Sequence, residues 1–310
     1  MTITVKVSDK TKKQMIEYFE DLKREKTPPY ATFQAVDGDT VVTLYNSGKA
    51  VFQGRDADLA SQFWIETEKI NVGSVDFTNS NEKKKDKSKD ITTSKYMYIN
   101  SVGSDEVGTG DYFGPIVVSS SYVKKDDVNY LKELGVMDSK KITDEKILEI
   151  APKIIKKVKY KSLVLTNKDY NKFNKDYNMN KIKAIMHNKV LYQMINEEHP
   201  VIDAILVDQF AEKYVYYNYL KNTNLVQRNI TFMTKAEDKN IAVACSSIIS
   251  RYIFIQEFNK ISKNVGFNLP KGAGNKVDEI GKLIVQKYGK EILESIAKLN
   301  FKNTEKILNK

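Results

Sequence analysis

A single cysteine, Cys245, occurs in 310 residues, so neither an intrachain disulfide nor a cysteine-built zinc site can form. Histidine is almost as scarce. His187 and His199 have no cysteine or histidine at metal-ligand spacing, and His187, inside a helical pattern, reads as a packed or hydrogen-bonded residue. Cys245, amid AVACSSII, reads as a small buried apolar side chain. The opening residues, MTITVKVSDKTKKQ, lack the apolar core of a signal peptide. No continuous apolar run approaches the roughly 18 to 20 residues that span a bilayer. The expectation is a cytoplasmic chain with no membrane partner. Three common catalytic signatures are missing too: the G-x-x-x-x-G-K-[ST] phosphate loop, the G-x-G-x-x-G dinucleotide turn and the G-x-S-x-G nucleophile turn.

What the chain has is lysine. Lys and Arg number 50 against 40 Asp and Glu, a formal net charge of +10 that favours polyanionic partners. A hydrophobic fraction of 41% is enough for a sizeable core. Residues 1–78 read as a small α+β unit. A strand over 2–7 is followed by a helix capped at Ser8 or Asp9, with Met15, Ile16, Phe19 and Leu22 at helical spacing. Short strands follow over 31–36, 40–45 and 49–52, joined by turns at DGD (37–39) and NSG (46–48), and then a helix over 56–70. Residues 79–95, NSNEKKKDKSKDITTSK, are too polar to bury a core and read as a charged linker. Residues 96–310 alternate strands (96–102, 116–122, 161–165, 204–207, 230–234) with helices (143–157, 181–197, 241–258, 277–288), the pattern of an α/β domain.

Four acids stand out by position. Asp105 and Glu106 adjoin a glycine-rich stretch, GSDEVGTGDYFGP (103–115), and on a continuing strand they would face opposite ways. They can share a site if the chain leaves the strand there, which glycines permit. Asp208 follows the apolar run AILV and would emerge at the C-terminal end of a buried strand, where α/β sheets bind ligands. Glu237 precedes the long helix, at the positive end of its dipole. Converging carboxylates repel unless they share protons or cations. Hard divalent cations suit oxygen ligands, and a pair of them about 4 Å apart can hydrolyse a phosphodiester. Each acid alone also fits an ordinary surface position, and Lys140-Lys141 fits a phosphate contact or a solvated loop equally well.

GSDEVGTGDYFGPIVV, DSKKIT, ILVDQF and TKAEDKNIAVACSSIISR, in this order and spacing, resemble the type 2 ribonuclease H superfamily. Within it the chain is similar to the HIII branch. That branch has glutamate as its fourth acid, where Glu237 stands, and lacks the arginine that HII members place between the two glycines, where Thr109 stands. LPKGAGNKVD (269–278) and NFKNTEKI (300–307) fit the same branch. VDGDTVVTLYNSGKAVFQG (36–54) resembles its extra substrate-binding domain, whose fold is similar to that of the TATA-binding protein. The resemblance implies a ribonuclease H-like mixed sheet flanked by helices, behind a small N-terminal α+β domain.

It further implies an endoribonuclease that cuts the RNA strand of RNA/DNA hybrids with Mg²⁺ or Mn²⁺, two ions per site with substrate. The products would carry 5′-phosphate and 3′-hydroxyl ends. Asp105, Glu106, Asp208 and Glu237 would be the catalytic metal ligands. Gly108, Thr109 and Gly110 would approach the ribose 2′-hydroxyl, the group that marks RNA. Ser139, Lys140 and Lys141 would contact phosphate. No HII-type junction-reading tyrosine is identified, so weak incision at single ribonucleotides is expected, and a monomer is expected. Two alternatives stand beside this: a non-catalytic hybrid-binding protein, and a DNA nuclease or resolvase on the same fold.

Overall fold

A computed structural model describes residues 2–37, 40–54, 57–73, 77–79, 95–136 and 142–309. The chain divides into two compact units, Met1–Ser88 and Lys89–Lys310. Most of the expected linker, residues 80–94, lies outside the described residues, as do Gly38 and Asp39 of the first turn.

The first unit runs β1 (Thr2–Lys6), α1 (Asp9–Tyr18), β2 (Ala31–Asp37), β3 (Thr40–Tyr45), β4 (Lys49–Gly54), α2 (Ala57–Val72) and β5 (Phe77–Asn79). Its sheet has the order β2-β3-β4-β1-β5, antiparallel throughout. Ser8 starts α1 as an N-cap, its hydroxyl accepting from the Thr11 amide and donating to Glu68 of α2. Alternation then sorts the sheet. Val5, Phe33, Ala35, Val42, Leu44 and Phe52 are buried against Met15, Phe19 and Trp64. Thr4, Lys6, Gln34, Lys49 and Gln53, on the other face, remain partly or fully exposed.

In the second unit the sheet order is β10-β9-β6-β7-β8, made from β6 (Ser101–Val107), β7 (Ile116–Val123), β8 (Lys159–Leu165), β9 (Ala204–Asp208) and β10 (Ile230–Met233). β6 lies parallel to β9 and β9 to β10, while β6–β7 and β7–β8 are antiparallel. The helices are α3 (Val128–Glu133), α4 (Asp144–Lys157), α5 (Asn167–Phe173), α6 (Met179–Glu198), α7 (Lys213–Tyr219), α8 (Ile241–Val265), α9 (Asn275–Tyr288), α10 (Leu293–Ile296) and α11 (Lys302–Leu308). Thr143, Thr166, Asn178 and Asn240 cap α4, α5, α6 and α8 by accepting the amide N–H three residues on.

Two helices cover the two faces of the central strands. Ser104 and Ser120 bond to α6, whereas Ser121 and the carbonyl of Gly103 bond to α8. The α8 contact is close because Gly103 has no side chain: a Cβ there would lie 2.2 Å from the Val243 nitrogen. α8 is also longer than its expected 241–258 span. It is long and apolar enough to cross a membrane by length and composition, contrary to the reading of the sequence. In the fold, 67% of its most apolar window is buried inside the protein, so its apolar length serves the core between sheet and α4.

The expected strand over 96–102 is misplaced. The strand begins at Ser101 and continues through both acids to Val107. Long-range pairing, Asp105 with Ser119 and Glu106 with Val118, outweighs the local break suggested by the glycines.

Candidate active site

The consequence of that shift is direct. Asp105 and Glu106 lie on a continuing strand, so they point to opposite faces of the sheet. Residues 103 and 105 share the α8 face, and residues 104 and 106 the α6 face. The Ser250 hydroxyl of α8 donates to the Asp105 carbonyl at 3.1 Å, and the Asp105 carboxylate is hydrogen-bonded by the Ser247 hydroxyl of the same helix. Glu106 instead meets α6. His187 Nε2 lies 2.8 Å from Oε2, and Lys183 pairs with Oε1. His187 is itself fixed by Ser104 Oγ, 2.7 Å from Nδ1, and stacks on Phe210 at 5.1 Å, while the Lys183 ammonium sits 4.1 Å over the same ring.

Asp208 joins Asp105 through parallel register. Gly103 pairs with Leu206 and Ser104 with Val207, so Asp105 and Asp208 follow side by side at the C-terminal ends of β6 and β9. Leu206 packs with Val243 and Ala236 on the α8 face, and Asp208, two residues on, belongs to that face too. Its Oδ1 accepts the Ala236 amide at 2.8 Å. That bond ties β9 to the single turn Ala236–Asp238, which carries Glu237, buried to 2% exposure. Asp105 and Asp208 therefore lie side by side on one face, the turn that carries Glu237 is tied to Asp208, and Glu106 stands across the strand from Asp105.

The charges respond to this placement. Burial, the Glu106 charge and, to a smaller degree, the Asp208 charge push the Asp105 carboxyl well above the usual range, against the bonds from Ser247 and the Glu106 amide. Burial would raise Glu106 as well, but His187 and Lys183 outweigh it and hold that carboxyl at about 2. As the side chains stand, no group of three or more Asp, Glu, His or Cys among the described residues is drawn together tightly enough to hold a metal ion. The donor set nevertheless fits a hard divalent cation: every donor is a carboxylate oxygen, and a cation would relieve the repulsion that raises Asp105.

Next to the acids, the loop 108–115 separates its glycines by function. Gly108 has φ +92°, and a Cβ there would lie 2.2 Å from the Pro115 carbonyl and 2.9 Å from the Phe254 ring. Gly110, by contrast, is exposed, with nothing within 4 Å of a Cβ. The first glycine is demanded by the chain's own packing, and only the second offers bare backbone outward. Ser139, Lys140 and Lys141 lie outside the described residues. Just beyond them, Arg251 fixes the start of α4, donating to Asp144 at 2.7 and 3.1 Å and to the Ile142 carbonyl, and Lys271 pairs with the same Asp144.

Lys183, His187, Ser247 and Phe210 were not singled out for the site from sequence. Lys183 and His187 stand at i and i+4 on α6, one face of a helix, but which strand that face meets is not written locally. His187 does behave as expected: it is fully buried and hydrogen-bonded. Cys245 is buried as well.

Comparison with known proteins supplies what geometry alone cannot. A family model described as Ribonuclease HII matches residues 102–304, and one described as Domain of unknown function (DUF3378) matches residues 2–75. Ribonuclease HIII of Bacillus anthracis is 41% identical over 300 residues, covering 93% of this chain and 94% of that one. Ribonuclease HIII of Lactococcus lactis subsp. lactis (strain IL1403) is 38% identical over 311 residues, covering 99% and 98%. Among solved structures, Bst-RNase HIII in complex with Mn²⁺ superposes with a TM-score of 0.70 at 35% identity, covering 99% of this chain and 98% of that one.

Proposed function

Since the chain belongs to the ribonuclease HII family, in its ribonuclease HIII branch, and is a ribonuclease H endonuclease, we propose that it cuts the RNA strand of RNA/DNA hybrids with bound divalent cations. The observation that carries the metal is Asp105, a buried carboxyl raised by burial and by two neighbouring acids, at the end of a central strand in a chain of net charge +10. Asp105, Asp208 and Glu237 would hold the cations from the α8 face, and Glu106 would complete the set. Two ions, Mg²⁺ or the Mn²⁺ seen in the Bst-RNase HIII complex, would supply the charge that activates a water and stabilises the departing 3′-oxygen, leaving 5′-phosphate and 3′-hydroxyl ends.

The rest falls to the chain's own residues. The Ala236 amide orients Asp208, and Ser247 with the Glu106 amide orients Asp105. The open backbone at Gly110 would come close to the 2′-hydroxyl, with Gly108 and Thr109 shaping the approach. Ser139, Lys140 and Lys141 would add phosphate contacts. Residues 1–78 would grip the hybrid through the uncovered sheet face bearing Lys6, Lys49 and Gln53. Removing Lys6 and Lys49 together should lower hybrid affinity and reduce its salt slope by about two.

The test uses a uniform RNA/DNA hybrid and the matching DNA duplex with Mg²⁺. Wild type should cut the hybrid alone. Asp208→Asn should lose activity by about 10²-fold or more, the scale of metal-supported chemistry. It should also bind Mn²⁺ more weakly by calorimetry. A wild type that leaves the hybrid intact is a binding protein, and one that cuts both duplexes equally is a DNA nuclease.

A further inference from the structure

The chain is lysine-rich, and among the described residues most of that charge lies at the surface. Lys298 is different: it is completely buried. It sits in the segment after α10, where Ala297 bridges Phe113 of the glycine-rich loop in antiparallel fashion. The Lys298 amide donates to the Tyr112 carbonyl at 2.9 Å, and the Gly114 amide donates to the Ile296 carbonyl at 3.0 Å. The side chain then turns back along the same loop. Its ammonium donates to the Asp111 carbonyl at 2.7 Å and to the Gly114 carbonyl at 2.6 Å. Asn167 shares the Gly114 carbonyl, and Gly272 bonds Tyr112 and the Asp111 carboxylate.

An aliphatic side chain would avoid the cost of burying a charge here. Burial pushes the Lys298 ammonium down to about 7, against the pull of the Asp111 charge, so keeping an amine here costs free energy. What the amine does, and a hydrocarbon could not, is satisfy two buried carbonyls at the two ends of residues 111–114. Those residues form the return arm of the loop whose tip is Gly108, Thr109 and Gly110. The tip itself is held differently. The Gly108 carbonyl accepts from the Asp111 amide, at 3.4 Å, and the backbone of Thr109 and Gly110 makes no hydrogen bond to other described backbone. Its position therefore depends on the strand end at one side and on the return arm at the other.

We infer that Lys298 is a positioning residue for ribose recognition: its two carbonyl bonds fix the return arm and so hold the Gly108–Gly110 tip beside the acids. This rests on the ribonuclease reading above. Lys298 touches neither acid nor substrate, so its loss should act on recognition of RNA and leave the metal ligands in place.

The experiment compares Lys298→Met with wild type in steady-state cleavage of an RNA/DNA hybrid, with the matching DNA duplex as competitor. Two constants are read, KM for the hybrid and Ki for the DNA. In the variant, KM should rise about tenfold, within the range that misplaced positioning groups cause. Ki and the Mn²⁺ affinity by calorimetry should stay within about twofold, so that preference for RNA shrinks. A folded variant, by circular dichroism, with an unchanged ratio of KM to Ki overturns the inference. Equal loss of both affinities also overturns it, because that is general destabilisation. If Lys298→Met does not fold, Lys298→Gln, which keeps a donor for one carbonyl, is read in the same assay and should show a smaller shift of the same sign. A wild type that does not cleave the hybrid defeats the ribonuclease reading and is seen before any variant is made.

Discussion

Replacing Gly103 by alanine puts a methyl group where helix α8 already lies. An ideal Cβ at that position would be 2.2 Å from the Val243 nitrogen, 2.4 Å from the Ala242 carbonyl carbon and 2.7 Å from the Val243 Cα. Carbon contacts settle at about 3.5–4.0 Å, so helix and strand must part by about 1 Å or more. No rotamer change can relieve this, because every obstacle is backbone. The helix is also anchored, with the Ser246 hydroxyl on the Gly103 carbonyl, the Ser250 hydroxyl on the Asp105 carbonyl, and Ile248, Ile249 and Phe254 buried along its length. Overpacking costs about 1–3 kcal/mol, and an immovable obstacle places Gly103→Ala at the upper end, about 3 kcal/mol. For a unit of this size that is a fall in Tm of about 6–12 °C. Thermal unfolding followed by circular dichroism reads it, with Gly110→Ala as a control, since a methyl at Gly110 meets nothing within 4 Å. A fall below about 2 °C for Gly103→Ala, or one equal to the control, would refute the close approach of α8 to β6.

The two loop glycines should separate in the same way. Gly108→Ala forces a side chain onto a positive φ and into Pro115 and Phe254, so it should lower stability by about 1–3 kcal/mol in urea denaturation. Gly110→Ala should leave stability within about 0.5 kcal/mol and raise KM for the hybrid, and equal stability for the two variants would contradict the division. Cys245 is buried and its thiol is pushed up by burial alone, so thiol reagents should label it only once the protein unfolds. Rapid labelling under native conditions would count against the packing of α8. Glu198 accepts from Lys159 and Lys161, which hold its carboxyl at about 2. A depressed folded value means the contribution is complete above the unfolded carboxyl's range, near pH 4.5, and disappears as pH falls through about 2. Glu198→Gln should therefore cost little at pH 7, as exposed pairs do, and still less at pH 3. A gap that widens in acid would reverse the sign.

Much of the fold was legible locally, because its signals are local. The N-cap at Ser8 and the apolar runs of β7 and β9 report backbone preferences within a few residues. The short helices α3, α5 and α7 carry weaker patterns and did not stand out. The strand holding the two acids was placed too early. Its last residues read as a glycine turn until β7 pairs with them.

Residue type and backbone period singled out four carboxylates as candidates and required that neighbours on a strand face opposite ways. Which face each acid meets is a matter of long-range packing. The parallel register of β6 with β9 sets Asp105 beside Asp208 under α8, while α6 brings Lys183 and His187 onto Glu106. The same packing commits Gly108 to the interior while Gly110 opens outward, and it buries Lys298 against the loop 184 residues before it, on the Gly114 carbonyl. Partners this far apart in the chain are joined by pairing and burial, whose free energy belongs to the assembled core and to no short stretch within it.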